Sequence, residues 1–263
     1  RIIIAMIFHN LQTQVTAFST TRNGGVSKGD YASMNCTPYT GDDIEAVQRN
    51  QELLCAALHI EKEQLIIPYQ THSVNALVID KEFLQQNAEK QIEQLQNIDA
   101  LITQEKGVCL CVSTADCTPI LLYDRKQQVI AAIHAGWRGS VNYIVRKTLE
   151  QMNRLYNTQG EDIFAAIGPC IGFDAFEVGD EVYDAFKQND FPMEYISGWK
   201  PETHKWHIDL QMANSVQLID FGVPTEQIDI CDICTFTHYE KFFSARRLGI
   251  KSGRILSGIF MNF

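Results

Sequence analysis

Residues 107–140 read GVCLCVSTADCTPILLYDRKQQVIAAIHAGWRGS. Three apolar runs follow one another here: GVCLCVSTAD, TPILLYD and VIAAIHAG. Each is too short for a typical globular helix, and together they predict successive strands, the last two joined by a turn at RKQQ. The second run reads as a buried strand. Asp116 and Cys117 stand together at the mouth of the second run. Either Cys117 is a small core hydrophobe beside a turn residue, or both belong to a site.

Upstream, VTAFSTTRNGGVSKGDYASMN (15–35) predicts a short strand running into a Gly-rich turn, and RIIIAMIF (1–8) reads as another strand. DDIEAVQRNQELLCAALHI (42–60) carries Ile44, Val47, Leu54 and Leu58 at helical spacing, with Asp42 or Asp43 as N-cap. IIPYQTHSVNALVID (66–80) reads as two short strands around a loop holding His72, and the polar residues 81–97 as an exposed helix or insertion. Downstream, SVNYIVRKTLEQMNRLY (140–156) predicts one helix with Val141, Ile144, Val145, Leu149 and Met152 on a single face. DIFAAIGPCIG (162–172) is a strand, and DEVYDAFKQ (180–188) and LQMANSVQLIDFG (210–222) are helices, the second closed by Gly222. IDICDICTF (228–236) and GRILSGIFM (253–261) return to strands. Helices and strands mix without strict alternation, which predicts an α+β or mixed α/β fold in one domain over residues 1–263.

With 263 residues the chain is long enough for a substantial core, and no stretch reaches the roughly 20 apolar residues that span a bilayer. A net charge of −10 argues against a nucleic-acid partner bound through a broad basic surface. Eight cysteines are too few for a disulfide scaffold, and no export signal is legible, so a cytoplasmic protein with reduced thiols is expected. No membrane partner is expected, and without a helical zipper or a long exposed apolar segment the reading is a monomer.

His72 in YQTHSVN, Cys117 in TADCTP and His134 in IHAGWRG are the candidates for chemistry. A thiolate and two imidazoles suit zinc, and three protein ligands leave a fourth position open for water, the pattern of a catalytic site. Zinc lowers the pKa of such a water toward neutrality, and Asp116 is placed to orient a ligand or handle a proton. The same residues also admit a metal-free thiol hydrolase with Cys117 as nucleophile and His134 as base. HAGWRGS brings backbone N–H groups and Arg138 to a helix start, where an anion would fit; an ordinary turn with a solvated Arg138 is the alternative. Arg22 lies in a second Gly-rich turn, for which a plain hairpin is the simpler reading. His204 and His207 would face opposite sides of a strand, Cys231 and Cys234 lack a second pair at zinc-ribbon spacing, and Cys109, Cys111 and Cys170 read as packing residues.

In this order TTRNGGVS, MN, YQTHS, TADCTPILLYD, AAIHAGWRGS, IGPCIG and FFSARRLGIKSGR resemble the YfiH/YlmD family, long labelled "laccase domain" or polyphenol oxidase, over nearly the whole chain. The resemblance implies a single α+β domain of mixed-sheet layers, related to the catalytic domain of cytotoxic necrotising factor. It implies zinc on His72, Cys117 and His134; copper could substitute adventitiously on the same donors and give weak oxidation. It also implies phosphorolysis of adenosine, inosine, guanosine and methylthioadenosine and deamination of adenosine, with purine nucleosides and phosphate as partners. Arg22, Arg138 and Arg246 become candidates for phosphate, and Asn35 and Ser244 for ribose or base. A cysteine-dependent amidase acting on cell-wall peptides is the competing reading.

The laccase label itself does not survive the composition. A multicopper oxidase needs about ten histidines, many in His-x-His pairs, whereas this chain has seven and no such pair. The sequence departs from the family pattern at Ala245, where an aromatic is expected, and at LGIKSGR, which replaces a shorter acidic turn. Both flank Arg246.

Overall fold

The computed structural model describes residues 4–262. Alternation along Cys109–Thr114 organises the fold. Leu110 and Val112 turn one way, against Leu121, Tyr123, Ile130 and Ala132 of a second sheet. Cys109 and Cys111 turn the other way, against Leu54, Cys55 and Leu58 on the helix Ile44–Leu58. In the second sheet Ile120, Leu122, Ala131 and Ile133 face outward onto Ile144, Val145, Leu149 and Met152 of the helix Ile144–Tyr156 and Leu218 of Leu210–Asp220. Two-residue periodicity thus produces four layers, helix on sheet on sheet on helices. The buried central strands explain the unbroken apolar runs, since each buried Ile or Leu stabilises by roughly 1.5–3 kcal/mol.

The first sheet has five strands in the order Met6–His9, Val15–Thr20, Ile255–Met261, Cys109–Thr114, Leu65–Ile66. The second has six: Ile228–Ile230, Ile163–Ile167, Thr118–Asp124, Val129–Ala135, Ala100–Thr103, Ala76–Val78. Both mix parallel and antiparallel neighbours, as the α+β expectation requires. A small three-stranded sheet, Glu177–Val178, Lys205–Ile208 and Ser197–Lys200, packs with the helix Asp180–Gln188.

The strands Cys109–Thr114 and Thr118–Asp124 belong to different sheets. The turn between them, Ala115–Cys117, is therefore the crossing from one layer to the other. Three expectations are corrected. The helix at 140–156 is broken at Tyr143, which takes a left-handed φ of 64°, into Trp137–Val141 and Ile144–Tyr156. Only Ile228–Ile230 of the expected strand at 228–236 pairs in a sheet, alongside Ile163–Ile167. His204 sits in the turn before the strand Lys205–Ile208 rather than on it. Of the strand expected at 1–8, residues 1–3 lie outside the described residues, and the pairing observed is Met6–His9 with Val15–Thr20. Among the described residues no helix is long and apolar enough to cross a membrane.

Candidate active site

His134 is the last but one residue of Val129–Ala135 and shares the face of Ile130 and Ala132, so it points between the two sheets. Asp99 immediately precedes the neighbouring strand Ala100–Thr103. The Asp99 carboxylate is fully buried and accepts a hydrogen bond from His134 Nδ1 at 2.7 Å. It also accepts from the backbone N–H groups of Thr71, His72 and Ser73, at 3.1, 3.1 and 2.8 Å, and from Ser73 Oγ at 2.6 Å. His72 adopts a left-handed φ of 61°, which lets three successive N–H groups converge on one carboxylate. That conformation costs about 1–2 kcal/mol for a residue with a Cβ, and the charge-assisted bonds offset it. One buried carboxylate thus holds both histidines.

Cys117 enters from the inter-sheet crossing. Asp116 before it has φ 90°. Its carboxylate accepts from Thr235 Oγ1 at 2.7 Å and from the Arg246 backbone N–H at 2.6 Å, and its carbonyl accepts from the Ile171 N–H at 2.9 Å. Cys117 Sγ lies 3.8 Å from His72 Nε2, and one ligand atom from each of His72, Cys117 and His134 lies within 4.8 Å of the others. Tetrahedral zinc with bonds of 2.0–2.3 Å separates its ligand atoms by about 3.5 Å. The donor set therefore fits a metal with slight contraction, and the Asp99 bond to Nδ1 leaves Nε2 of His134 for the ion. Gly136 closes against this cluster; a Cβ there would stand 2.8 Å from His72 Cδ2 and 3.0 Å from Cys117 Sγ.

The three donors are electrically coupled. Burial pushes the Cys117 thiol up, but the His134 charge and hydrogen bonds from both histidines bring it down to about 6. Burial pushes His134 down, but the Cys117 thiolate and Asp99 raise it to about 9. Burial also raises the Asp99 carboxyl, against which the bonds from His134 and Ser73 hold it below its ordinary range. Without metal the site is a thiolate–imidazolium pair backed by a carboxylate.

These donors line a cavity of about 360 Å³. Tyr39 and Tyr69 form part of its wall, edge to face at 4.9 Å. Gln70 and Ser113 exchange two hydrogen bonds, Nε2 to the carbonyl at 2.8 Å and N–H to Oε1 at 2.7 Å, and Ser113 Oγ bonds Thr37 Oγ1 at 2.7 Å. Arg254 lines the same cavity.

The sequence candidates divide accordingly. His72, Cys117 and His134 meet; the other expected substrate-binding residues do not line this cavity. The Arg22 guanidinium donates to the carbonyls of Ala32 and Tyr239 and packs on Phe243. Arg138 lies over Trp137, and Arg246 over Phe176 with a bond to the Glu177 carbonyl. Ser244 is buried and caps the short helix Ala245–Leu248. Asn35 is buried, donating to Thr40 and Asp42 and accepting from the Arg254 N–H. Asp116 ties loops together, and the orienting role expected of it falls to Asp99. Asp99 had one legible signal: an acid directly before the apolar run ALIT, where a buried carboxylate needs a partner. Nothing local marked Arg254, Tyr39 or Tyr69.

The layered fold and the sequence that builds it have counterparts. Residues 16–262 match the family described as "Multi-copper polyphenol oxidoreductase laccase", and the chain belongs to that family. Within it, the chain is 55% identical over 250 residues to a protein of Bacteroides thetaiotaomicron named purine nucleoside phosphorylase, covering 95% of this chain and 93% of that one. It is 42% identical over 246 residues to "Adenosine deaminase RL5" of an unknown prokaryotic organism, covering 94% of each. The crystal structure of the hypothetical protein YfiH of Bacillus licheniformis superposes with a TM-score of 0.90 at 27% identity, covering 98% of this chain and 97% of that one.

Proposed function

We propose that this protein is a zinc-dependent purine nucleoside enzyme. It phosphorolyses adenosine, inosine, guanosine and methylthioadenosine, and it deaminates adenosine. The observation that carries the reading is the convergence of His72, Cys117 and His134 in a cavity walled by Tyr39 and Tyr69. The names of the relatives, purine nucleoside phosphorylase and adenosine deaminase, support the same chemistry. A volume of about 360 Å³ suits a nucleoside-sized ligand.

Zinc held by His72, Cys117 and His134 would supply Lewis-acid polarisation, and copper is the expected substitute. The chain's own residues do the rest. Asp99 fixes the ring of His134 with Nε2 toward the cavity. Tyr39 and Tyr69 offer apolar surface to the purine. Thr37, Gln70 and Ser113 offer polar groups to hydroxyls or the base edge. In phosphorolysis a phosphate oxygen bonds to C1′ as the C1′–N9 bond breaks. The electron pair leaves with the purine, which takes up the proton of hydrogen phosphate, giving free base and ribose 1-phosphate. In deamination water adds at C6 and ammonia leaves, giving inosine. The free thiols suit a reducing compartment, so the reading places the protein in the cytoplasm.

The test is product analysis of zinc-loaded protein incubated with adenosine, with and without phosphate. Adenine that appears only with phosphate establishes phosphorolysis, and inosine under either condition establishes deamination. Neither product from folded, zinc-loaded protein sinks the proposal.

One observation favours a second reading. Cys117, His134 and Asp99 by themselves make a nucleophile, a base and a group that orients the base. This thiol hydrolase or amidase would work without metal. Alkylation of Cys117 that zinc does not slow, together with amide hydrolysis by chelator-treated protein, would favour it.

A further inference from the structure

Phosphorolysis needs a group that takes hold of the phosphate, and the arginines suggested by the Gly-rich turns are engaged elsewhere. Arg254 is the arginine that lines the cavity together with His72, Cys117 and His134. Its guanidinium is held rigidly by its own loop. Nη1 donates to the carbonyls of Ser252 at 2.8 Å and Gly253 at 3.0 Å, and Nη2 donates to the carbonyl of Ile250 at 3.0 Å. Its backbone N–H donates to buried Asn35 Oδ1 at 3.1 Å, which pins the start of the strand Ile255–Met261. A guanidinium carries five N–H groups. Nε–H and one hydrogen of Nη2 have no partner among the described residues, which leaves a donor pair on a pre-oriented plane. Such a pair matches two oxygens of a tetrahedral oxyanion, and a pre-oriented fork loses little entropy on binding.

We infer that Arg254 is the anchor for inorganic phosphate, gripping two of its oxygens through Nε–H and Nη2–H within the cavity that holds the His72–Cys117–His134 centre. This rests on the phosphorolytic half of the proposed function. It assigns to Asn35 a positioning role, acting through the backbone of Arg254. The bond changes are those of phosphorolysis given above; Arg254 contributes charge and orientation and transfers no proton.

The experiment uses zinc-loaded full-length protein in wild-type, R254Q and R254K forms. Inorganic phosphate alone is titrated by calorimetry, with acetate as the competing carboxylate. Phosphorolysis of inosine is then followed with phosphate varied, and deamination of adenosine without phosphate serves as the internal control. R254Q is expected to weaken phosphate binding and raise KM for phosphate by roughly 30-fold, a larger loss than any it causes in kcat/KM for deamination. R254K, keeping the charge but losing the fork, is expected to fall between wild type and R254Q.

An unchanged KM for phosphate in R254Q overturns the assignment. So does an equal loss of both activities in R254K and R254Q, which would mean that Arg254 holds the nucleoside or the fold. Acetate competing as well as phosphate overturns it in favour of a carboxylate site. Should wild type turn over no nucleoside yet bind phosphate, and R254Q lose that binding, the anion site stands and the nucleoside reading falls. Wild type that does not bind phosphate defeats the inference whatever its activity.

Discussion

Asp99 and His134 face each other one residue beyond the pair Ala100–Ile133, where their strands run antiparallel, and close a 2.7 Å hydrogen bond in the interior. The same carboxylate gathers the N–H groups of the His72 loop, so both imidazoles are oriented by one charge. Asp99→Asn keeps the shape and removes that charge. It is expected to weaken zinc binding by about 10–100-fold, read by competition with a chromophoric chelator. Unchanged affinity would show that the histidines are held by packing alone.

The metal-free site has a defined pH window. The Cys117 thiolate, with its pKa lowered from 9.0 to about 6, contributes stability that is complete above 9.0 and lost as pH falls through about 6. The His134 imidazolium, raised from 6.5 to about 9, contributes stability complete below 6.5 and lost as pH rises through about 9. The ion pair is thus intact between about 6 and about 9. In chelator-treated protein, iodoacetamide should alkylate Cys117 with a midpoint near 6, and thermal stability should decline on either side of the window. A midpoint at the ordinary thiol value would contradict the pairing.

Gly136→Ala is a steric test of the same centre. The added methyl would stand 2.8 Å from His72 Cδ2 and 3.0 Å from Cys117 Sγ, both closer than van der Waals contact. Zinc content per chain should fall, with a stability loss of about 1–3 kcal/mol. Full zinc occupancy in the variant would mean that the His72 loop yields freely.

Tyr39 and Tyr69 are each about two-fifths exposed, at 39% and 40%, on the cavity wall. Aromatic stacking on a base is worth about 1–3 kcal/mol. Tyr69→Ala, and separately Tyr39→Ala, should therefore raise KM for purine nucleosides by roughly 5- to 100-fold, with kcat largely retained. Loss of kcat without change in KM would move the purine to another wall.

The sequence by itself determined the local elements and named the candidate donors. Apolar runs and helical spacing are properties of contiguous residues, so Thr118–Asp124, Val129–Ala135, Ile44–Leu58 and the face of Ile144–Tyr156 were legible there. His72, Cys117 and His134 were legible as candidates because few residue types suit a metal and the family resemblance singled out these three; the structure brings them together. Only the tertiary structure decided that Cys109–Thr114 and Thr118–Asp124 lie in different sheets, which puts Cys117 where the layers part. It also decided that Asp99, 35 residues from His134, is the orienting acid, while Asp116 is drawn to Thr235 and Arg246, 119 and 130 residues away. It turned Arg254 into the cavity and left Arg22, Arg138 and Arg246 outside. The physical reason is the same in each case. Where a polar side chain points is set by strand register and by distant groups competing for its hydrogen bonds, and neither is written in the residues beside it.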